Sequence, residues 1–563
     1  TQMQIGKEGV ATEHLVNNAH IQVEDTSALK LYGTLKGDSN SIQQVGNATV
    51  YIDHLQGNDN SVKDFVTLGK VEGDNFSYTT TPKSPSAAEK KIELGSIVGN
   101  NANVSNRAGG VVLGSIETNS EASRTYVQAT MKGDVLVDNI NDQGSISLTA
   151  SAGKVEVTGS VASADFYAFG NTGVTIGGAM NVGTALLSSN GAITTNGGVA
   201  DKLTMSGAAG NYNTMYGNTE VGELLVSGGR LQVKSTATLK ADTITVNEAS
   251  WFDGDTETQT LTANGNLNVR ANTLSVTDTL TVTNAAVNVN TKGNLEVAQL
   301  VLNNATQLSV NGGTLSAEKL TATGGLNVDV SGAGTSLILG KEGSAAVHEV
   351  SGAWITVGEG TSFNVYGTLK GDNNQLRGSA NIERVEGDKF KYTGAPGGVD
   401  KHFELGSLSG NSAELTNNAG GVTVGSIETS SDASRTYVRA YVKGDVTVDS
   451  INDKGSTSLT ASAGKVEVTG DVVSADLAIS AGTDAKIGGT MAVKEATISA
   501  TGSVELNGGS ADVLNIAGSV LTLNTDKDLS IGSLLKLGNG YGMSVNFELG
   551  ADADGNGAIV MGN

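Results

Sequence analysis

A chain of 563 residues with 4% aromatics, 3 prolines and 76 glycines cannot fill the cores of three or four ordinary globular domains, yet 38% hydrophobic residues exceeds what disorder allows. Its 35 Lys and Arg face 58 Asp and Glu, and the formal charge of −23 repels nucleic-acid phosphate and anionic lipid. Cysteine is absent, which excludes disulfides, thiolate metal sites and cysteine nucleophiles.

The first residues, Thr1 to Ile5, form neither a basic region nor an apolar signal core, and no apolar run reaches the ~18–20 residues of a membrane span. If the chain is exported, it is expected to be a mature piece of something longer, with no transmembrane segment of its own. From Ile5 onward an internal duplication dominates. Tyr32-Gly-Thr-Leu-Lys-Gly-Asp38 returns as Tyr366-Gly-Thr-Leu-Lys-Gly-Asp372, an offset of 334. Val71-Glu-Gly-Asp74 returns as Val385-Glu-Gly-Asp388 at 314, and Gly114-Ser-Ile-Glu-Thr118 as Gly425-Ser-Ile-Glu-Thr429 at 311. The second copy is therefore shortened twice, by a long excision where the offset falls from 334 to 314 and by a short one where it falls from 314 to 311. Losing a stretch as long as the first would ruin a globular domain, whereas a stack of coils can drop one coil and close again. The short step falls where Pro82 and Pro85 face Pro396, in a stretch read as an exposed loop.

Within the copies a shorter beat recurs, a β-former, then glycine with a small neighbour, then another apolar residue. Gly95 is followed in this way by Gly114, and Gly159 by Gly177, at steps close to the length of the long excision. Between these turns the chain alternates, as in Lys154-Val-Glu-Val-Thr158, which predicts short half-buried strands. No segment carries a helical stripe. The prediction is an all-β, parallel β-helix (β-solenoid) with coils of about 19–24 residues, roughly 25 of them over about 120 Å at the strand spacing. The first copy of the repeat is placed at 1–334 and the second, shorter one at 335–563, continuous with it. A string of β-sandwich domains is the alternative, opposed by the few aromatics and the long excision.

Candidate sites are few. Lys-Gly-Asp at Lys36, Lys132, Lys370 and Lys443 resembles an integrin-binding tripeptide, but all four fit duplicated turns. His14, His20, His54, His348 and His402 show no metal spacing and read as loop residues on a solvated face. Threonine runs at Thr256 to Thr262, Thr277 to Thr283 and Thr321 to Thr323 suit strands better than a flat hydroxyl array. Trp251 and Trp354 are either outward sugar-stacking residues or caps on a thin core. Asp552, Asp554 and Asn556, followed by Gly557, match the start of a calcium loop whose twelfth position is Asn563 rather than a carboxylate. An acidic turn is preferred there, so no cofactor is expected, with calcium the one metal to consider.

The stretches from Ser147 to Val161 (SLTASAGKVEVTGSV) and from Ala322 to Gly332 (ATGGLNVDVSG) resemble the passengers of bacterial autotransporters and filamentous-haemagglutinin-like exoproteins. That resemblance implies a right-handed parallel β-helix, extracellular or on the outer surface of a Gram-negative cell. It also implies a structural or adhesive role in adhesion, aggregation or biofilm. Expected partners are a host or neighbouring-cell surface, glycans or further copies of the chain, and not nucleic acid. Loops such as Asn119 to Tyr126 and Thr79 to Lys91 would be displayed. A self-assembling filament subunit and a carbohydrate-active β-helix enzyme are the alternatives. An enzyme is not expected, because no carboxylates converge and no nucleophile motif occurs.

Overall fold

The computed structural model describes residues 1–81, 89–394, 401–524 and 527–538, together with the backbone of strands Ser544–Glu548 and Ile559–Met561. The described residues form 56 strands and no helix, and the strands pair in parallel, in about 25 turns of a β-solenoid. They fall into two compact units, Thr1–Thr277 and Asp278–Asn563. The second copy of the sequence repeat lies within the second unit.

One turn of the first unit shows how the sequence builds a coil. Gly173–Ile176 is a short strand, and Met180–Ser189 follows with the burial order buried, exposed, buried, then two outward residues, then buried again. Strict alternation would keep a strand flat. Two consecutive outward residues, Gly183 and Thr184, shift the phase, so the strand turns a corner and buries both of its halves. Pairing with Val161–Gly170 passes over this point, matching 161–163 with 180–182 and 165–170 with 184–189. Each such coil thus has three faces around one narrow core.

Aliphatic columns fill that core. Leu148, Ala168, Leu187, Met205, Val226, Val246 and Ala263 stack in successive register and are buried. Each large aliphatic side chain buried in this way contributes roughly 1.5–3 kcal/mol. Aromatic residues also enter the core: Phe76, Tyr78, Phe166, Phe252, Phe363 and Phe403 are buried. Although aromatics are few in the composition, some of these rings pair inside the core, Phe76 edge-on to Tyr78 at 6.4 Å and Phe403 stacked on Tyr392 at 3.6 Å.

A second set of corners is built from glycine followed by Asp or Asn. Gly37, Gly57, Gly73 and Gly99 occupy the same corner of successive coils at φ between 130° and 148°. A Cβ on Gly57, Gly73 or Gly99 would lie 2.0–2.2 Å from the carbonyl oxygen of the glycine one coil earlier. Beside them runs a ladder of side-chain acceptors. Asp38 N donates to Asn17 Oδ1 at 2.9 Å, Asn58 N to Asp38 Oδ1 at 2.7 Å, Asp74 N to Asn58 Oδ1 at 2.8 Å and Asn100 N to Asp74 Oδ1 at 2.8 Å. Behind it, the buried amides of Asn40 and Asn60 donate to corner carbonyls, as Asn60 Nδ2 does to Gly37 O and Gly57 O, and within the second unit Asn374 Nδ2 likewise donates to Val350 O.

The long excision in the second copy removes one coil. In the first unit Leu35 stacks on Leu55 and Leu55 on Val71, whereas in the second Leu369 stacks directly on Val385. The ladder closes over the gap, with Asp388 N donating to Asp372 Oδ1 at 2.8 Å. Coil length varies more widely than the sequence led us to expect. Val50 pairs with Val66 across a coil shorter than the expected range, and Thr321 with Glu349 across a longer one. Corner loops absorb the difference, since they lie outside the paired registers.

His348 corrects the reading of the histidines as solvated loop residues, for its relative exposure is 0%. Its Nε2 pairs with Tyr366 O at 3.0 Å, and its Nδ1 accepts Leu320 N–H at 3.2 Å. The ring is therefore neutral, with its proton on Nε2, and burial pushes its pKa below 6.5 although the Tyr366 carbonyl favours the charged form. A charged ring would lose the Leu320 bond. The unfolded chain takes up this proton below about pH 6.5 and the folded chain resists it, so the stability that His348 contributes above that pH is lost as pH falls through the lowered value. Against His348→Gln, wild type is expected to lose its thermal advantage between about pH 7.5 and about pH 5.5. A gap in melting temperature that is constant over this range would refute it. The equivalent His14 also bonds a carbonyl, Tyr32 O at 3.2 Å, but is only half-buried.

Candidate functional site

Parallel strands in register turn residues one coil apart into neighbours about 4.8 Å apart, so a surface site here is a short column of outward side chains. On the strands Arg124–Ala129, Ser145–Ala150 and Val161–Gly170, the column runs Tyr126, Ser147, Tyr167, with Leu186 next. The two tyrosines are two rungs apart, about 10 Å, over the small Ser147. They wall a groove of about 430 Å³. Arg124 and Asp165 stand at its edge, and Ser145 Oγ donates to Asp165 Oδ2 at 3.1 Å. The groove thus offers ring faces flanked by hydroxyls and one charge of each sign.

The duplication builds it again. Arg435, Tyr437, Ser456, Ser458 and Asp476 hold the positions of Arg124, Tyr126, Ser145, Ser147 and Asp165, around a groove of about 350 Å³. Ala478 and Thr497 replace Tyr167 and Leu186, leaving one ring wall instead of two. Arg439 lies 4.3 Å over the Tyr437 ring, where the first copy has Gln128.

A third outward cluster has no duplicate. Tyr212 and Arg230 are register partners, and Trp251 is one coil further on the same face. The Tyr212 and Trp251 rings are 5.6 Å apart, and the Arg230 guanidinium carbon lies 5.8 Å from the first and 5.5 Å from the second. Lys234 Nζ sits 5.5 Å over the exposed Tyr216 ring. Nearby, Arg270 grips Asp253 through Nε at 2.7 Å and Nη2 at 2.6 Å, and Gln232 adds an amide at 3.2 Å. Burial pushes the Asp253 carboxyl up, but Arg270 and Gln232 outweigh it and hold the group below its ordinary range.

Both tryptophans face outward. Trp354 is 51% exposed and lies with Gln375, Arg377 and Lys391 around a hollow of about 260 Å³, so neither caps the core. The four Lys-Gly-Asp segments sit at corners, with positive φ at Gly37, Gly133, Gly371 and Gly444. Thr256 and Thr258 are buried, so that run presents no single outward hydroxyl array. Asn119 to Ser123 is a corner, whereas Arg124 to Tyr126 belongs to a strand.

Asp552, Asp554 and Asn556 lie outside the described residues, as do Pro82, Pro85 and Pro396. Among the described residues, no group of three or more His, Asp or Glu is placed to hold a metal ion, and no helix is long and apolar enough to cross a membrane. Sequence reading missed the grooves and the Arg230 cluster, because their members are separated by whole coils. The usable signal was an aromatic or arginine recurring at coil spacing, as Tyr212, Arg230 and Trp251 do. No protein-family model, curated protein or solved structure matches the chain.

Proposed function

We propose that this protein is an adhesive scaffold of the cell exterior, a binding protein rather than an enzyme, which holds surface glycans in grooves on its outward sheet faces. The observation that carries the reading is the groove built twice, at Tyr126 and at Tyr437, with Arg, Ser, Ser and Asp repeated around the ring. A sugar ring presents an apolar C–H face to an aromatic and hydroxyls to its surroundings, which matches a tyrosine wall beside serines and paired charges. Two grooves on one chain favour a ligand with many copies, as a glycan-covered surface is, because a second contact adds avidity without new chemistry.

The test is a screen of the full chain against immobilised neutral oligosaccharides and intact cells. Wild type is expected to bind, Tyr126→Ala with Tyr437→Ala to lose about tenfold or more, and Tyr167→Ala to weaken the first groove towards the second, with unfolding midpoints unchanged. Wild type that binds no glycan and no cell would sink the proposal. So would a double variant that binds as well as wild type.

A further inference from the structure

The Arg230 cluster stands apart from the charge pattern of the rest of the chain. Many cations on the sheet faces pair with acids, one coil away as Lys202 does with Glu223, Lys391 with Glu414 and Lys486 with Glu505, or on their own strand as Lys154 does with Glu156. Arg230 instead lies over two aromatic rings, and among the described residues no carboxylate or other acceptor meets its N–H groups. Of the acids near the cluster, Asp253 is engaged by Arg270, and Glu248 accepts from Gly210 N at 3.3 Å. Arg230, Lys234 and Arg270 outnumber Asp253 and Glu248 here, a local surplus of positive charge on a chain whose net charge is −23.

Each part has a chemical meaning. A guanidinium attracted through its face to Tyr212 and Trp251 keeps its N–H edge for a planar oxyanion, and a carboxylate accepts two such donors side by side. The rings give C–H surfaces somewhere to stack, with Tyr212 41% exposed. The outward amide of Gln232, whose Nε2 donates to Asp253, keeps its carbonyl oxygen as a hydroxyl-pairing group on the same face. A neutral sugar would use the rings and leave Arg230 unpaired. Double-stranded nucleic acid would meet the repulsion of the whole chain with only three local cations to offset it.

We infer that Tyr212, Arg230 and Trp251 form a binding site for a carboxylated sugar, a uronic-acid unit of an acidic polysaccharide, distinct from the grooves at Tyr126 and Tyr437. The guanidinium takes the carboxylate, the rings take the sugar face, and Lys234 extends the positive surface to a neighbouring anionic unit.

The experiment uses the full chain carrying Trp354→Phe, so that Trp251 is the one fluorescent tryptophan. It is titrated with a glucuronan hexamer, with its carboxyl-reduced counterpart cellohexaose, and with a sulfated glucan hexamer. Expected are a saturable change in Trp251 emission with the glucuronan alone, weakening about tenfold or more on Arg230→Gln, and partial retention on Arg230→Lys. Binding should weaken as salt rises. Circular dichroism and the unfolding midpoint check that each variant is folded. The site assignment is overturned if cellohexaose binds as tightly as glucuronan, if Arg230→Gln changes nothing, or if glucuronan leaves Trp251 emission unaltered. Tighter binding of the sulfated hexamer would overturn the carboxylate assignment. Tyr126→Ala with Tyr437→Ala is expected to leave this titration unchanged, so its outcome is separate from that of the grooves.

Discussion

Gly73→Ala is expected to destabilise the first unit by about 3 kcal/mol or more, because the new methyl meets two obstacles together. The backbone at Gly73 has φ of 140°, which an L-residue with a side chain rarely adopts. The added Cβ would stand 2.0 Å from the Gly57 carbonyl oxygen, and that atom is main chain, fixed by the pairing of its own coil. Relief therefore requires these two coils to separate, which breaks ladder bonds such as Gly57 N to Glu72 O at 2.8 Å. Gly210→Ala is the control: its φ is 82°, but nothing lies within 4 Å of the added carbon, so about 1–2 kcal/mol is expected. Denaturant unfolding of both variants compares them. Equal losses would mean that the corner column tolerates a side chain and that close stacking is not what holds it.

Asp453→Ala is the other substitution with a large effect, expected to cost about 3–4 kcal/mol. Asp453 is buried in a corner of the second unit. Its Oδ1 accepts from Thr429 Oγ1 and from Gly455 N at 2.7 Å, and its Oδ2 accepts from Thr457 Oγ1 at 2.6 Å. Alanine would strand the buried Thr457 hydroxyl and Gly455 N–H and leave the half-buried Thr429 hydroxyl without its acceptor. The first copy holds the same carboxylate with one partner fewer. Asp142 accepts from Thr118 and Gly144, but Ile146 stands where the second copy has Thr457, and Asp142 Oδ2 is buried with no partner. Asp142→Ala should therefore cost less than Asp453→Ala by about 1 kcal/mol, the worth of the missing bond. Unfolding midpoints of the two variants measure the difference, and an equal or reversed order would contradict it.

Much of the architecture was legible in the residues. Alternation at Lys154 to Thr158 announced half-buried strands, and the glycine beat together with the excision of one coil's length announced the stack. Less was visible where the three-dimensional register decides. The outward pair Gly183 and Thr184 is a corner, but in the sequence it is only a lapse in alternation. His348 reads as a loop residue until the long step from Thr321 to Glu349 seats its coil beneath Leu320. The candidate sites were hidden for the same reason. Tyr126 and Tyr167 are two coils apart along the chain and become walls of one groove only when the coils are aligned. Which glycine corner lies on which was equally invisible, although the residues that make the corners were identified as turns.

The corner ladder also bears on how such a chain changes over generations. Each Gly-Asx corner offers an oxygen to the coil after it and a backbone N–H to the coil before it, so every corner has the same two connectors. A segment cut from one corner to the next can be removed or inserted with both connectors restored, as Asp372 and Asp388 are where a whole coil is missing. Recombination between similar corners would then alter the number of coils without reinventing the packing. The lineage can adjust its length in whole units while the outward columns of the retained coils stay as they are.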